Sequence, residues 1–230
     1  MFVRFGPGHL IALAVIAATV VAAARAARRE QGRRYVRWSL AALLGVGITA
    51  YFAGEAAGGT LNGWDFLPFH LSDFTVFLAI YALASLRRGA AELLYFLAVP
   101  ALLAIATPDL DRGFGDWYSL VFFVLHGGVI AAAAALTFGF GLAPRKGAVV
   151  RAFLFTNAYA AFAALLNLVL GTNFLYLRHK PEQPSPLDWF GGWPWYLVAG
   201  EVAALVLFSL AYLPFAPRGH GTERRPAPDP

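Results

Sequence analysis

The sequence predicts an all-α fold, a polytopic membrane bundle of seven transmembrane helices with its N-terminus outside and its C-terminus in the cytoplasm. Of the 230 residues, 59% are hydrophobic and only 13% are charged, which is about half the charged share of soluble domains. The mean hydropathy is +0.61. This composition excludes a disordered chain and an ordinary soluble enzyme. Because the chain has no cysteine, disulfides, thiolate metal sites and a cysteine nucleophile are excluded as well.

Seven apolar segments, each near the length that a bilayer requires, account for most of the chain. They lie at residues 8–25, 38–57, 66–86, 91–106, 117–139, 149–171 and 194–214. A tight hairpin is expected at residues 87–90, between the third and fourth segments. We therefore assign residues 1–216 to one transmembrane domain. Residues 217–230 are polar and rich in Pro and Arg, and we expect them to form a disordered cytoplasmic tail.

The distribution of basic residues predicts the orientation. Alternate loops contain 14 of the 18 Lys and Arg residues, and the other loops contain only Arg4, Arg112, Arg178 and Lys180. Loops with an excess of positive charge face the cytoplasm, which indicates a multi-pass protein of the cell membrane. The net charge of +5 therefore reflects orientation, and we predict no nucleic-acid partner.

The first segment has a second interpretation, because Arg4, the apolar stretch and Ala24-Arg25-Ala26 resemble a cleaved signal peptide. Further arginines, beginning with Arg28 and Arg29, follow the stretch directly. A cleaved signal carries its positive charge before the apolar stretch, so we favour a retained first helix.

Polar residues inside the predicted spans are concentrated in the outer half of the membrane. A helical rise of about 1.5 Å per residue places there Glu55, His70, Ser72, Asp73, Thr75, His126, Asn167 and Glu201. Such residues are costly in lipid and mark functional sites, so the asymmetry predicts a polar cavity open to the outer leaflet. The alternative, which suits Asn167 and Thr75, is that they hydrogen-bond one helix to another.

Two of these residues suit nucleophilic catalysis. His126 is the candidate general base, because histidine titrates near neutral pH. Ser72 is the candidate nucleophile, since a serine hydroxyl reacts only beside a base. Glu201 or Asp73 is expected to orient the imidazole, as in a catalytic triad. Gly127-Gly128 after the histidine either admits a neighbouring helix or leaves space for a ligand.

A long outer connection, residues 173–196, is rich in aromatic residues, proline and glycine. It is either a lid over the cavity or an anchor in the membrane interface, where tryptophan is enriched. Several of its residues join the polar residues of the outer half as candidate substrate-binding residues. The full set is His70, Thr75, Asn167, Asn173, Trp193 and Trp195.

Three segments in the same order resemble the YwaF-like integral membrane proteins of bacteria. Leu67-Pro68-Phe69-His70-Leu71-Ser72-Asp73 is similar to that family's LPxHLC entry to the third helix. Thr107-Pro108-Asp109 with Phe123-Val124-Leu125-His126-Gly127 resembles its TPDL…FxxHG segment. Residues 173–177, with Lys180-Pro181 and residues 192–196, resemble its TNYMYL…KP…GPWPWY segment. The likeness extends over nearly all of residues 50–200.

The resemblance implies a more distant likeness to a eukaryotic transmembrane acyltransferase of ether phospholipids. That enzyme uses a cysteine and a histidine, which the resemblance places at Ser72 and His126. Serine in place of cysteine implies one of two things. Either Ser72 forms the acyl-enzyme and depends more strongly on a general base than cysteine does, or this family member has lost the acyl-transfer activity.

Three functions follow as hypotheses. The first is a membrane-embedded acyltransferase or lipid hydrolase that uses Ser72 and His126. The second is a proton-coupled transporter of small solutes, with Glu55, Glu201, Asp73 and His126 as its relay. The third is a non-catalytic, lipid-binding role. Membrane lipids are the expected partners, no metal or cofactor is predicted, and a haem held by His70 and His126 is the alternative. The oligomeric state stays open.

Overall fold

Seven α-helices make up most of the part of the chain that the structure describes. The computed structural model describes residues 2–58, 63–64, 66–108, 110, 113–181 and 186–216, and no strand occurs among them. The helices are α1 (Pro7–Ala27), α2 (Glu30–Ala57), α3 (Leu71–Ser85), α4 (Arg88–Ala106), α5 (Trp117–Ala134), α6 (Ala148–Leu170) and α7 (Trp195–Tyr212). A π-helical turn at Ala135–Gly139 extends α5, and 3₁₀ turns lie at Phe174–Tyr176, Pro186–Phe190 and Leu213–Phe215. The predicted tail, residues 217–230, lies outside the described residues.

Six of these helices, all except α3, are long and apolar enough to cross a membrane. Helix α3 has 15 residues and therefore rises about 22 Å, less than the roughly 30 Å of a hydrocarbon core. The predicted all-α, multi-pass architecture is confirmed. Seven crossings and the sides on which the termini lie stay predictions.

Two helix boundaries differ clearly from the predicted ones. Helix α2 begins at Glu30 and not at residue 38, because arginine is a good helix former even where the chain is no longer apolar. Helix α3 begins at Leu71 and not at residue 66. Pro68 therefore precedes the helix instead of lying in its first turn, and His70 before Leu71 is still extended.

The outer surface of the bundle is apolar, as a lipid-facing surface should be. Leu168, Val169 and Val46 are 81%, 72% and 70% exposed. Many other large apolar side chains along α1, α6 and α7 are also exposed. A water-soluble monomer does not carry an apolar surface of this extent, so these faces are the ones that contact lipid.

Small residues let the helices of the core approach closely. Leu44, Leu83, Leu94 and Leu136 are fully buried among many alanines. A Cβ atom added to Gly128 would lie 2.8 Å from a methyl group of Leu44 in α2. One added to the preceding glycine would lie as close to Ile16 in α1. The glycine pair after His126 therefore admits neighbouring helices, and this is the first of the two predicted alternatives.

The arginine-rich segments gather at one end of the bundle, where arginines in the N-terminal part of α2 bind the ends of α1 and α3. Arg33 Nε donates to the Ala27 carbonyl at the end of α1 at 3.2 Å. Arg37 donates to the carbonyls of Leu83 and Ala84 at the end of α3. These carbonyls have no partner within their own helix, so the basic residues that predict orientation also cap helices.

Candidate active site

A cavity of about 520 Å³ lies between α2, α3, α4 and α5. Its walls come from the C-terminal halves of α2 and α4, the N-terminal half of α3 and the part of α5 from Tyr118 to Val129. In this bundle those halves meet at the end opposite the arginine-rich loops. The polar part of the lining consists of Tyr51, Ser72, Asp73, Thr75, Thr107, Tyr118, His126 and Tyr176.

Ser72 and His126, the two predicted catalytic residues, line this same cavity although they lie on different helices. Ser72 is the second residue of α3, and its side chain is exposed. His126 lies in the middle of α5 and is half-buried. The two side chains that acyl chemistry needs therefore line the same cavity.

The His126 ring is fixed by its own helix. Its Nδ1 lies 2.8 Å from the Phe122 carbonyl oxygen, and the two rings have centroids 4.2 Å apart. Because a carbonyl oxygen only accepts, Nδ1 is the atom that carries the proton in the neutral ring. The lone pair is then on Nε2, the nitrogen that a general base uses when its other nitrogen is held by an orienting group.

Asp73, one of the two predicted orienting residues, lines the cavity and also has a structural role. Its side chain accepts a hydrogen bond from the backbone N–H of His70. Since His70 is the N-cap of α3, this is the reciprocal bond of a capping box. The carboxylate is also close enough to Tyr51 and Tyr118 to interact electrostatically with both phenol groups.

Glu201, the other predicted orienting residue, does not line the cavity. Its Oε2 accepts a hydrogen bond from Asn157 Nδ2 at 2.9 Å, which joins α7 to α6. The Phe122 carbonyl therefore occupies the position beside His126 that the sequence prediction gave to a carboxylate. The prediction located Glu201 by its depth along α7, but depth does not tell which neighbour a side chain faces.

The predicted substrate-binding residues divide into four groups, of which the two tryptophans are the last. Thr75 lines the cavity, and its hydroxyl donates to the Leu71 carbonyl at 2.6 Å. Asn167 and Asn173 hold the backbone after α6 through several hydrogen bonds each. His70 packs edge-on against Phe174 at a centroid separation of 5.3 Å.

The tryptophans of the long connection stay outside the site. Trp193 and Trp195 are 65% and 67% exposed, and Trp193 Nε1 donates to the Leu177 carbonyl at 3.2 Å. Exposed tryptophans at the end of a membrane helix suit an interfacial anchor. The earlier part of the same connection reaches the cavity through Tyr176.

The structure adds Tyr51 and Tyr118 to the candidate site. Their rings lie 5.9 Å apart, and both line the cavity. Tyr118 has the position of an interfacial aromatic residue and is not recognisable as a site residue from that alone. Tyr51 precedes Glu55 by one helical turn, and such a polar i, i+4 pair in an apolar helix is the signal that could have indicated it.

Among the described residues, no group of three or more His, Cys, Asp and Glu side chains is placed to hold a metal ion. His126 lines the cavity, whereas His70 packs on the turn after α6. The arrangement offers three aliphatic hydroxyls, a carboxylate, an imidazole and three phenol groups around one cavity.

This fold and this site define a polytopic helical membrane protein with a polar cavity between its helices. Residues 4–212 match the model of the TMEM164 family, and the chain therefore belongs to that family. The chain has no significant match among curated proteins or among solved structures. The YwaF-like resemblance and the acyltransferase activity that it implies stay predictions.

Proposed function

We propose that the protein is a membrane-embedded lipid acyltransferase or lipid hydrolase that acts through Ser72 and His126. The observation that supports this most strongly is that both side chains line one cavity, with His126 Nδ1 held by a carbonyl oxygen. A hydroxyl group and an imidazole with an available Nε2 are the two groups that serine catalysis needs.

The chemistry follows from these two groups. Ser72 Oγ attacks the carbonyl carbon of an acyl ester while His126 Nε2 takes the hydroxyl proton. The bond to the leaving oxygen breaks, and the imidazolium returns the proton to that oxygen. The acyl group is now an ester of Ser72. Water, or the hydroxyl group of a second lipid, then attacks this ester with the same histidine as base, and Ser72 is regenerated.

The orientation of His126 by a carbonyl has a consequence for rate. A carboxylate in that position stabilises the imidazolium that forms during attack, whereas a backbone carbonyl carries only a partial charge. We therefore expect slower acyl transfer than a complete serine triad gives.

The apolar part of the cavity suits a lipid substrate. Val76, Leu97, Ala101, Val121 and Val129 line it together with the polar residues. Apolar walls with a few polar groups are typical of a site that buries an acyl chain and fixes its ester. We place the chain along these residues and the ester at Ser72.

Turnover of a phospholipid by the purified protein in lipid vesicles tests the proposal. Ser72→Ala and His126→Gln are each expected to lower turnover by at least about 100-fold, the lower end of what a positioned acid–base group contributes. Ser72→Cys should retain activity, because a thiol is intrinsically the stronger nucleophile.

A matched control is Ser209→Ala in α7, where the hydroxyl only donates to the Leu205 carbonyl of its own helix. It should leave turnover unchanged. Undiminished turnover in Ser72→Ala would refute the catalytic proposal. Lipid that is retained in the cavity but never converted would instead support the non-catalytic, lipid-binding role.

A further inference from the structure

The turn after α6 contains two consecutive residues in a strained backbone conformation. Leu175 and Tyr176 have φ angles of 57° and 55°. This left-handed region is favourable for glycine but strained for residues with a Cβ atom. Such strain persists only where the surroundings hold the backbone in place, and it concentrates at functional sites.

Hydrogen bonds on both sides hold this turn. The buried Asn167 side chain accepts from the Phe174 N–H at 2.7 Å and donates to the Phe174 carbonyl at 3.0 Å. From the other side, the Tyr196 hydroxyl donates to the Tyr176 carbonyl at 2.6 Å. Helices α6 and α7 thus fix the backbone immediately before and at the strained residues.

The consequence of this conformation is the position of the Tyr176 side chain. It lines the cavity whose other walls come from α2, α3, α4 and α5. Its ring lies 6.0 Å from the ring of His70, the N-cap of α3, and so beside the helix that carries Ser72. Bonds on two sides hold the strained backbone that carries this ring, which limits where the ring can lie although Tyr176 is 40% exposed.

We propose that Tyr176 is a specificity-determining residue, a fixed wall that limits the width of the lipid beside the reacting ester. The inference rests on the proposed function. Asn167 is its positioning residue, since it holds the turn and does not itself line the cavity. Because we place the acyl chain along the apolar residues of the cavity, the Tyr176 ring limits the part of the lipid on the other side of the ester, which is the headgroup.

The test compares two lipids of equal charge that differ in headgroup size, phosphatidylethanolamine and phosphatidylcholine, with identical acyl chains. The kcat/KM of wild-type protein should be roughly tenfold or more higher for phosphatidylethanolamine than for phosphatidylcholine. This is the discrimination that one additional methyl group in a tight pocket produces. Tyr176→Ala should reduce this ratio to near one, mainly through the KM of the larger lipid. Tyr176→Phe keeps the ring and should keep the ratio.

Two asparagines of α6 provide a matched pair. Asn167→Ala should release the turn and reduce the ratio as Tyr176→Ala does. Asn157→Ala removes instead a bond to Glu201 and should leave the ratio unchanged. A merely structural role would lower the turnover of both lipids equally, and that result would overturn the proposal. So would a wild-type ratio near one.

The failure of this inference can be distinguished from that of the proposed function. If wild-type protein converts neither lipid, the catalytic proposal fails. The role of Tyr176 is then tested by binding alone: native mass spectrometry measures the ratio of the two lipids that co-purify with the protein from a mixed vesicle. Wild-type protein should bind the lipid with the smaller headgroup preferentially, and Tyr176→Ala should reduce this ratio to near one. An unchanged ratio in Tyr176→Ala would refute the proposed role of Tyr176.

Discussion

Replacing Glu92 by glutamine should destabilise the end of the bundle that carries the arginines. Glu92 is buried in the second turn of α4. One carboxylate oxygen accepts from the backbone N–H and Nε of Arg145 at 3.0 and 3.2 Å. The other accepts from Arg151 Nε at 2.8 Å. The carboxylate thereby joins α4 to the segment before α6 and to α6 itself.

The magnitude follows from this geometry. A glutamine keeps one accepting oxygen and turns an NH₂ group towards N–H donors, so one or two charge-assisted hydrogen bonds are lost. Each contributes about 1.5–3 kcal/mol when desolvated. The side chains of Arg145 and Arg151 are 53% and 48% exposed, and water screens part of the effect. We expect a loss of about 2–4 kcal/mol in the free energy of unfolding.

Reversible unfolding in detergent micelles with increasing denaturant measures this loss. The control is Glu30→Gln, which removes an exposed carboxylate of the first turn of α2 and should cost about 0.5 kcal/mol or less. Equal destabilisation by the two variants would show that the buried carboxylate is not a clamp and would refute the reasoning.

Two further predictions concern packing and orientation. In Gly139→Ala the new Cβ atom would lie 2.4 Å from the Cβ atom of Ala27 in α1, so we expect the free energy of unfolding to fall by about 1–3 kcal/mol. The control is Gly45→Ala, which has nothing within 4 Å of the new Cβ atom and should not lower the free energy of unfolding. Equal losses in the two variants would contradict the described packing. Because the chain has no cysteine, Asp188→Cys and Lys146→Cys each contain a single thiol, the first in a predicted outer loop and the second in a predicted cytoplasmic loop. On intact cells, a membrane-impermeant maleimide should label Asp188→Cys and not Lys146→Cys. The reverse labelling pattern would contradict the predicted orientation.

The helices could be predicted from the sequence because lipid imposes a simple rule on composition. Seven apolar segments match seven helices, and the errors lie where other forces decide the boundary. Helix α2 extends to Glu30 because arginine is a good helix former, and the arginines of this extension also bind the ends of other helices. Helix α3 starts only at Leu71, after the extended residues around Pro68.

The site could be predicted only in part. Helical rise gave the depth of polar residues, and with the family resemblance it selected Ser72 and His126, which share the cavity. Depth alone left Glu201 and Asp73 as alternatives for orienting His126, whereas packing directs Glu201 to Asn157. Tyr176 could not be predicted, because no sequence pattern signals that two adjacent non-glycine residues adopt positive φ angles.

The most direct test of the central claim is a search for the acyl-enzyme. Wild-type protein, incubated with a phospholipid of known acyl chain and quenched in acid, should gain the mass of one acyl group on the peptide that contains Ser72. Ser72→Ala should gain none. Ser72→Cys, with the only thiol in the chain, should form a thioester that neutral hydroxylamine removes. An acyl mass that persists in Ser72→Ala, or that is absent from both wild type and Ser72→Cys, would contradict the account.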